Sequence, residues 1–66
     1  MSVFKEITIT ATSADSWEDA ALTAVERTEQ TIEQIQWAVV QDQSLQLSGD
    51  APTFRTKLKI GFEVEE

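Results

Sequence analysis

From Thr53 to Glu65 the chain alternates in character. Phe54, Leu58, Ile60, Phe62 and Val64 fall on one parity, and Arg55, Lys57, Lys59 and Glu63 on the other. A period of two, carried by β-branched and aromatic residues, predicts a long β-strand. Such a strand presents an apolar face that needs cover and a polar face that tolerates water. The rest of the chain must therefore supply a layer for the apolar side.

Two other stretches repeat this period. Val3, Ile7, Ile9 and Ala11 alternate with Phe4, Glu6, Thr8, Thr10 and Thr12, which predicts a strand from Val3 to Thr12. Ile35, Trp37, Val39, Leu45 and Leu47 share one parity between Ile35 and Ser48, and the neighbours Val39 and Val40 signal a bulge or burial on both faces. The turn cluster Ser48-Gly49-Asp50-Ala51-Pro52 joins that strand to the last as an antiparallel hairpin. The covering layer lies between the first two strands. Trp17, Ala20, Ala21, Ala24, Val25, Thr28 and Ile32 follow the i, i+3, i+4 spacing of one helical face, with Glu18, Glu26, Glu29 and Glu33 on the opposite side. Ser13 or Ser16 caps this helix, and Asp15, Glu18 and Asp19 suit its positive end. The expected architecture is α+β: strand-helix-strand-strand, a three-stranded antiparallel sheet packed on one helix, with residues 1–66 as a single domain.

Sixty-six residues bury little, and the chain has neither cysteine nor histidine to staple itself with a disulfide or zinc. Self-association is the remaining support. A three-stranded sheet with one helix across it also leaves open edges and an uncovered polar face, so a symmetric homo-oligomer larger than a dimer is expected. Neither a leader nor a membrane span is evident in the sequence, which reads as a soluble, cytoplasmic protein. Twelve acidic against five basic residues leave a net charge of -7. That charge repels phosphate backbones and excludes nucleic acid as the expected partner. It serves solubility or adaptation to high salt.

The chain offers no Cys, His or Tyr and no glycine-rich phosphate loop, so it is not read as an enzyme. Asp15, Glu18 and Asp19 stand at a helix start, where capping explains them. The calcium-loop pattern of an EF-hand is absent, and a calcium site would need carboxylates of several subunits, such as Glu63, Glu65 and Glu66. Trp17 is placed to pack on the sheet. Gly61, inside a strand, marks a bulge or a close contact with the backbone. Trp37 admits two readings: a strand tryptophan is more often core, yet in so small a chain it also fits a ring-stacking platform.

The amino-terminal strand, the Thr12-Ser13 step into an alanine-rich helix, the Trp37-Ala38-Val39-Val40 segment and the run from Phe54 to Phe62 together resemble the dodecin family over nearly the whole chain. Asp42, five residues beyond the tryptophan, is similar to the archaeal branch. The resemblance implies a hollow homo-dodecamer that stores and photoprotects flavin, riboflavin or FMN, without turnover. It also implies that Trp37 stacks on the isoalloxazine ring, with flavins held in pairs near two-fold axes between symmetry-related indoles.

The cofactor-binding set implied by the resemblance is Trp37, Arg55, Asp42 and Gln46. Two of these depart from the family pattern. Arg55 stands where the family commonly has a glutamine, and it has donors only. It fits a flavin carbonyl or the charge of FMN, or it marks loss of flavin. Gln46 stands where archaeal members carry an acid and bacterial ones often an arginine. The alternative reading is therefore a dodecin-like oligomeric shell that has lost flavin and binds cations or other ligands.

Overall fold

The computed structural model describes residues 2–64; Met1, Glu65 and Glu66 lie outside the described residues, and with them two of the acids named for a shared calcium site. The order of elements is β1 (Val3–Ser13), α1 (Trp17–Glu29), β2 (Ile35–Gln46) and β3 (Thr53–Val64). The sheet is antiparallel throughout, with β3 in the middle and β1 and β2 at its edges. The last strand, whose alternation is the clearest in the sequence, is thus the one paired on both sides.

The helix lies over β1 and β3 and barely meets β2. Its alanines make this possible: Ala20 and Ala24 are buried, and without bulk they let the helix axis approach Leu58 and Ile60. Ile7, Ile9, Ala11, Ala21, Val25 and Ile35 pack around that centre. Buried Thr56 donates its hydroxyl to the Trp17 carbonyl (2.9 Å), and buried Thr28 donates to the Ala24 carbonyl (2.7 Å). Both polar groups enter the interior with a partner, which removes most of the cost of burying them.

Both candidate serines serve the helix start. The Ser16 oxygen accepts the amide of Asp19 (2.9 Å) as the N-cap. The Ser13 oxygen accepts the amide of Asp15 (2.9 Å) and its hydroxyl donates to the Asp19 carboxylate (2.7 Å). At the other end the helix stops at Glu29, short of the expected Ile32, although the amide of Ile32 still bonds the Thr28 carbonyl (2.9 Å). Gln34 then takes a left-handed backbone conformation (φ 63°) that turns the chain into β2.

The chain is long and thin, 48 × 20 × 15 Å, with a radius of gyration of 13.3 Å, where a compact domain of this length would have about 11 Å. A helix of 13 residues covers about 20 Å of that length. Val40, Leu45 and Leu47 are exposed on or just past β2, and Leu22 is exposed on the helix. Among the described residues, no helix is long and apolar enough to cross a membrane.

Candidate functional site

In an antiparallel sheet, residues directly opposite one another share a face. The pairing of β1 with β3 is regular, so Phe4, Glu6, Thr8, Thr10 and Thr12 lie beside Glu63, Gly61, Lys59, Lys57 and Arg55 on the face away from the helix. The pairing of β2 with β3 shifts twice, between Ile35 and Trp37 and between Val40 and Asp42. These bulges correct the single apolar parity expected for β2. Ile35 (opposite Phe62) and Leu45 (opposite Phe54) face the helix side, whereas Trp37 (opposite Gly61) and Val39 (opposite Lys59) face outward. The second shift lies beside the Val39-Val40 pair that signalled it, and both valines are exposed, so the bulge and not two-sided burial is its meaning.

The first shift decides what Trp37 does. Glu6, Gly61 and Trp37 form one row across the three strands, with the glycine in the middle. The indole crosses the space above Gly61, where any Cβ would collide with its Nε1, Cε2 and Cζ2 atoms. Glycine is required here because the ring occupies the place of its side chain. The close contact expected at Gly61 is therefore made by an aromatic ring. On the far side the indole N–H donates to the Glu6 carboxylate (3.2 Å), and Phe4 packs against the ring with centroids 5.0 Å apart and planes at 54°. Trp37 remains 36% exposed. A large aromatic held in one orientation on an open face has the geometry to stack a planar guest.

The other candidate residues share this face but stand apart from the platform. Asp42 lies opposite Lys57, Ser44 opposite Arg55 and Gln46 opposite Thr53. At ~3.4 Å per residue, Arg55 is roughly 20 Å from Gly61 along β3, and Asp42 is beside a position roughly 14 Å away. Arg55 is also engaged locally, its Nε donating to the Ser44 hydroxyl (2.8 Å). One chain thus brings Trp37 together with Phe4, Glu6 and Gly61, and does not bring it together with Arg55, Asp42 or Gln46. Phe4 and Glu6 carry no signal in the sequence beyond their parity in β1. Only the pairing register puts them beside the tryptophan.

Trp17, in contrast, lies where the sequence places it, between the helix start and the sheet. Its Nε1 donates to the Ser44 carbonyl (3.0 Å), and its ring meets Phe54 edge-on (4.9 Å, 75°). Among the described residues no group of three or more acidic, histidine or cysteine side chains gathers to hold a metal ion within one chain.

A family model described as Dodecin matches residues 3–65. The calcium dodecin of Mycobacterium tuberculosis is 40% identical over 65 residues, covering 97% of this chain and 92% of the relative. A crystal structure of that calcium-chelating protein, described as having a novel calcium-binding site, superposes with a TM-score of 0.85 at 38% identity, over 96% of this chain and 91% of the other. The dodecin of Streptomyces coelicolor gives a TM-score of 0.89 at 27% identity, covering 98% and 94%.

Proposed function

Because the chain belongs to the dodecin family, we propose that it is an oligomeric flavin store, in which Trp37 stacks on the isoalloxazine ring of riboflavin or FMN. The observation that carries this reading is the indole laid over Gly61 and fixed by Glu6 and Phe4, with 36% of the residue open. An electron-rich indole against an electron-poor flavin gains dispersion and offset-stacking energy. It also offers a nearby donor to quench the excited flavin. Storage with photoprotection needs no general base or nucleophile.

The separation of Trp37 from Arg55, Asp42 and Gln46 supports assembly as part of the same reading. A neighbouring copy supplies those groups to a guest seated on Trp37. The thin shape, the open edges and the exposed Val40, Leu45 and Leu47 give such copies surfaces to cover. The expected assembly is a hollow homo-dodecamer.

Titrating the protein into riboflavin and into FMN while following flavin fluorescence tests the stacking role. Quenching at micromolar protein is expected, with most of it lost in Trp37→Ala. A variant that binds as well as the parent rules out the platform. Sedimentation of the same preparation reads the assembly, and a folded monomer there would rule out the shell.

A second reading follows from the relative that is called a calcium dodecin. In this reading the shell binds calcium between copies, since the described residues of one chain gather no such cluster. Glu63, beside Phe4 on the outer face, stands one step along β3 from the row that holds Glu6. Heat on calcium addition, unaffected by Trp37→Ala, would favour it.

A further inference from the structure

We infer that the groove between α1 and the free edge of β1 receives the β2–β3 hairpin tip of a neighbouring copy, with Leu47 seated in the groove and Asp50 paired to Arg27. The inference rests on the assembly proposed above and not on the stacking of a guest. Ile9, Thr10, Ala11, Thr23, Ala24 and Arg27 line the groove, which holds about 160 Å³. That is below the ~300–1,000 Å³ of small-molecule sites, so its size suits a single side chain. Its floor is apolar and its one charge is Arg27. In an acid-rich helix this cation has no acid on its own face, because the residues three and four positions away are Ala24, Thr23, Gln30 and Thr31. Its guanidinium donates to the Gln30 side chain at 3.4 Å, longer than a well-formed hydrogen bond. The edge beside the groove also needs cover. The β2 edge is interrupted by two register shifts and carries Asp42, whereas β1 pairs regularly and has no charged residue or proline from Ile7 to Ser13. An edge without such devices invites another chain.

The hairpin tip has the complementary chemistry. Leu47 is 73% exposed, the most of the large apolar side chains among the described residues. Asp50 follows three residues later, in a turn that Gly49 makes with a positive φ of 96° and with open space where a side chain would stand. The groove of the same chain is out of reach of this tip. β3 lies between β2 and β1, and the tip leaves the sheet past Gln46, which pairs with Thr53. The groove lies at Ile9 to Ala11, beside Leu58 to Thr56. The separation is roughly 10–17 Å along the strands and two strand spacings, about 10 Å, across them. Only a second copy can bring Leu47 to the groove. Tip and groove are different patches, so each copy gives a tip to one neighbour and accepts one from another, the head-to-tail contact that closes into a ring. The seat covers the β1 edge and supplies Arg27 with the carboxylate that its own helix withholds.

The chain has no cysteine, so introduced thiols report the contact directly. Thr23→Cys and Leu47→Cys together are expected to cross-link on mild oxidation into covalent species larger than a dimer on a denaturing gel, because a disulfide needs Cα atoms within about 7 Å. Each change alone is expected to leave single chains. A dimer from Thr23→Cys alone places the groove on a two-fold axis and overturns the inference. Products of the double variant that stop at the dimer overturn the head-to-tail contact. A large assembly in sedimentation without any cross-link overturns the seat and leaves assembly standing, whereas a folded monomer overturns both. Leu47→Asp is expected to weaken association by about tenfold or more through the lost apolar contact. Arg27→Glu and Asp50→Arg are each expected to weaken it by a few-fold, and the two together to recover most of that loss. A double variant no better than either single change overturns the pairing of Arg27 with Asp50.

Discussion

Trp17 and Trp37 make nearly the same local contacts. Each donates its indole N–H to one acceptor, the Ser44 carbonyl at 3.0 Å or the Glu6 carboxylate at 3.2 Å, and each meets one phenylalanine at about 5 Å. Their surroundings then diverge. Trp17 is covered by the helix start and sits between helix and sheet, with the buried Thr56 hydroxyl bonded to its carbonyl. Trp37 has no layer above it among the described residues and lies on a glycine. The same side chain is cement in one place and an open ring in the other, and what separates them is whether the fold supplies a second layer. The comparison predicts that stability should follow Trp17 and binding should follow Trp37.

The largest effect tests the first half of that contrast. Trp17→Ala removes a ring from the helix–sheet contact, which costs about 3 kcal/mol by analogy with other large-to-small core changes. A single core of this size contributes only ~3–5 kcal/mol, so the variant is expected to lose cooperative denaturation by circular dichroism. Trp37→Ala should shift the same curve by less than about 1 kcal/mol, within the range of open surface sites, while binding loses roughly 1–3 kcal/mol of stacking. Equal destabilisation by the two changes would break the comparison.

Gly61→Val sharpens it. The new side chain must displace the indole, because its Cβ alone collides with the ring. Overpacking of this kind costs typically ~1–3 kcal/mol. Flavin quenching should fall as far as in Trp37→Ala, with both tryptophans still present. Retained quenching would show that the ring does not need its glycine seat.

Much of the fold was legible because periodicity reports burial. The alternation of β3, the alanine face of the helix and the paired serines at its start led to elements that the structure contains, with their ends moved by a few residues. The face on which Trp37 emerges was not legible in this way. Two bulges reset the parity of β2, and only the valine pair signalled one of them. The candidate residues Trp37, Asp42, Gln46 and Arg55 do share one face, but a resemblance conveys which residues matter and not how far apart one chain holds them. Phe4 and Glu6 are set beside Trp37 by cross-strand pairing, a long-range property without a local sequence pattern. Gly61 was the one local signal, since a glycine inside an alternating strand implies that something approaches closely.

The smallest effect probes how the platform is held. Glu6 accepts the Trp37 N–H at the surface, where a hydrogen bond contributes about 1 kcal/mol or less. Glu6→Ala is expected to leave denaturation nearly unchanged. Phe4 and Gly61 still position the indole, so the ring stays over the strand but with wider rotation. Tryptophan fluorescence resolves this despite the presence of Trp17, because the Trp17 contribution can be measured alone in Trp37→Ala and subtracted. The remaining emission should show lower anisotropy and a red shift as the indole N–H turns to water. Flavin affinity should fall by a few-fold, less than in Trp37→Ala, because a looser ring must be ordered again when the guest stacks. If anisotropy stays at the parent value, Phe4 and the glycine seat alone orient the ring. The carboxylate would then act only through its charge, and the contrast between the two tryptophans would rest on covering layers alone.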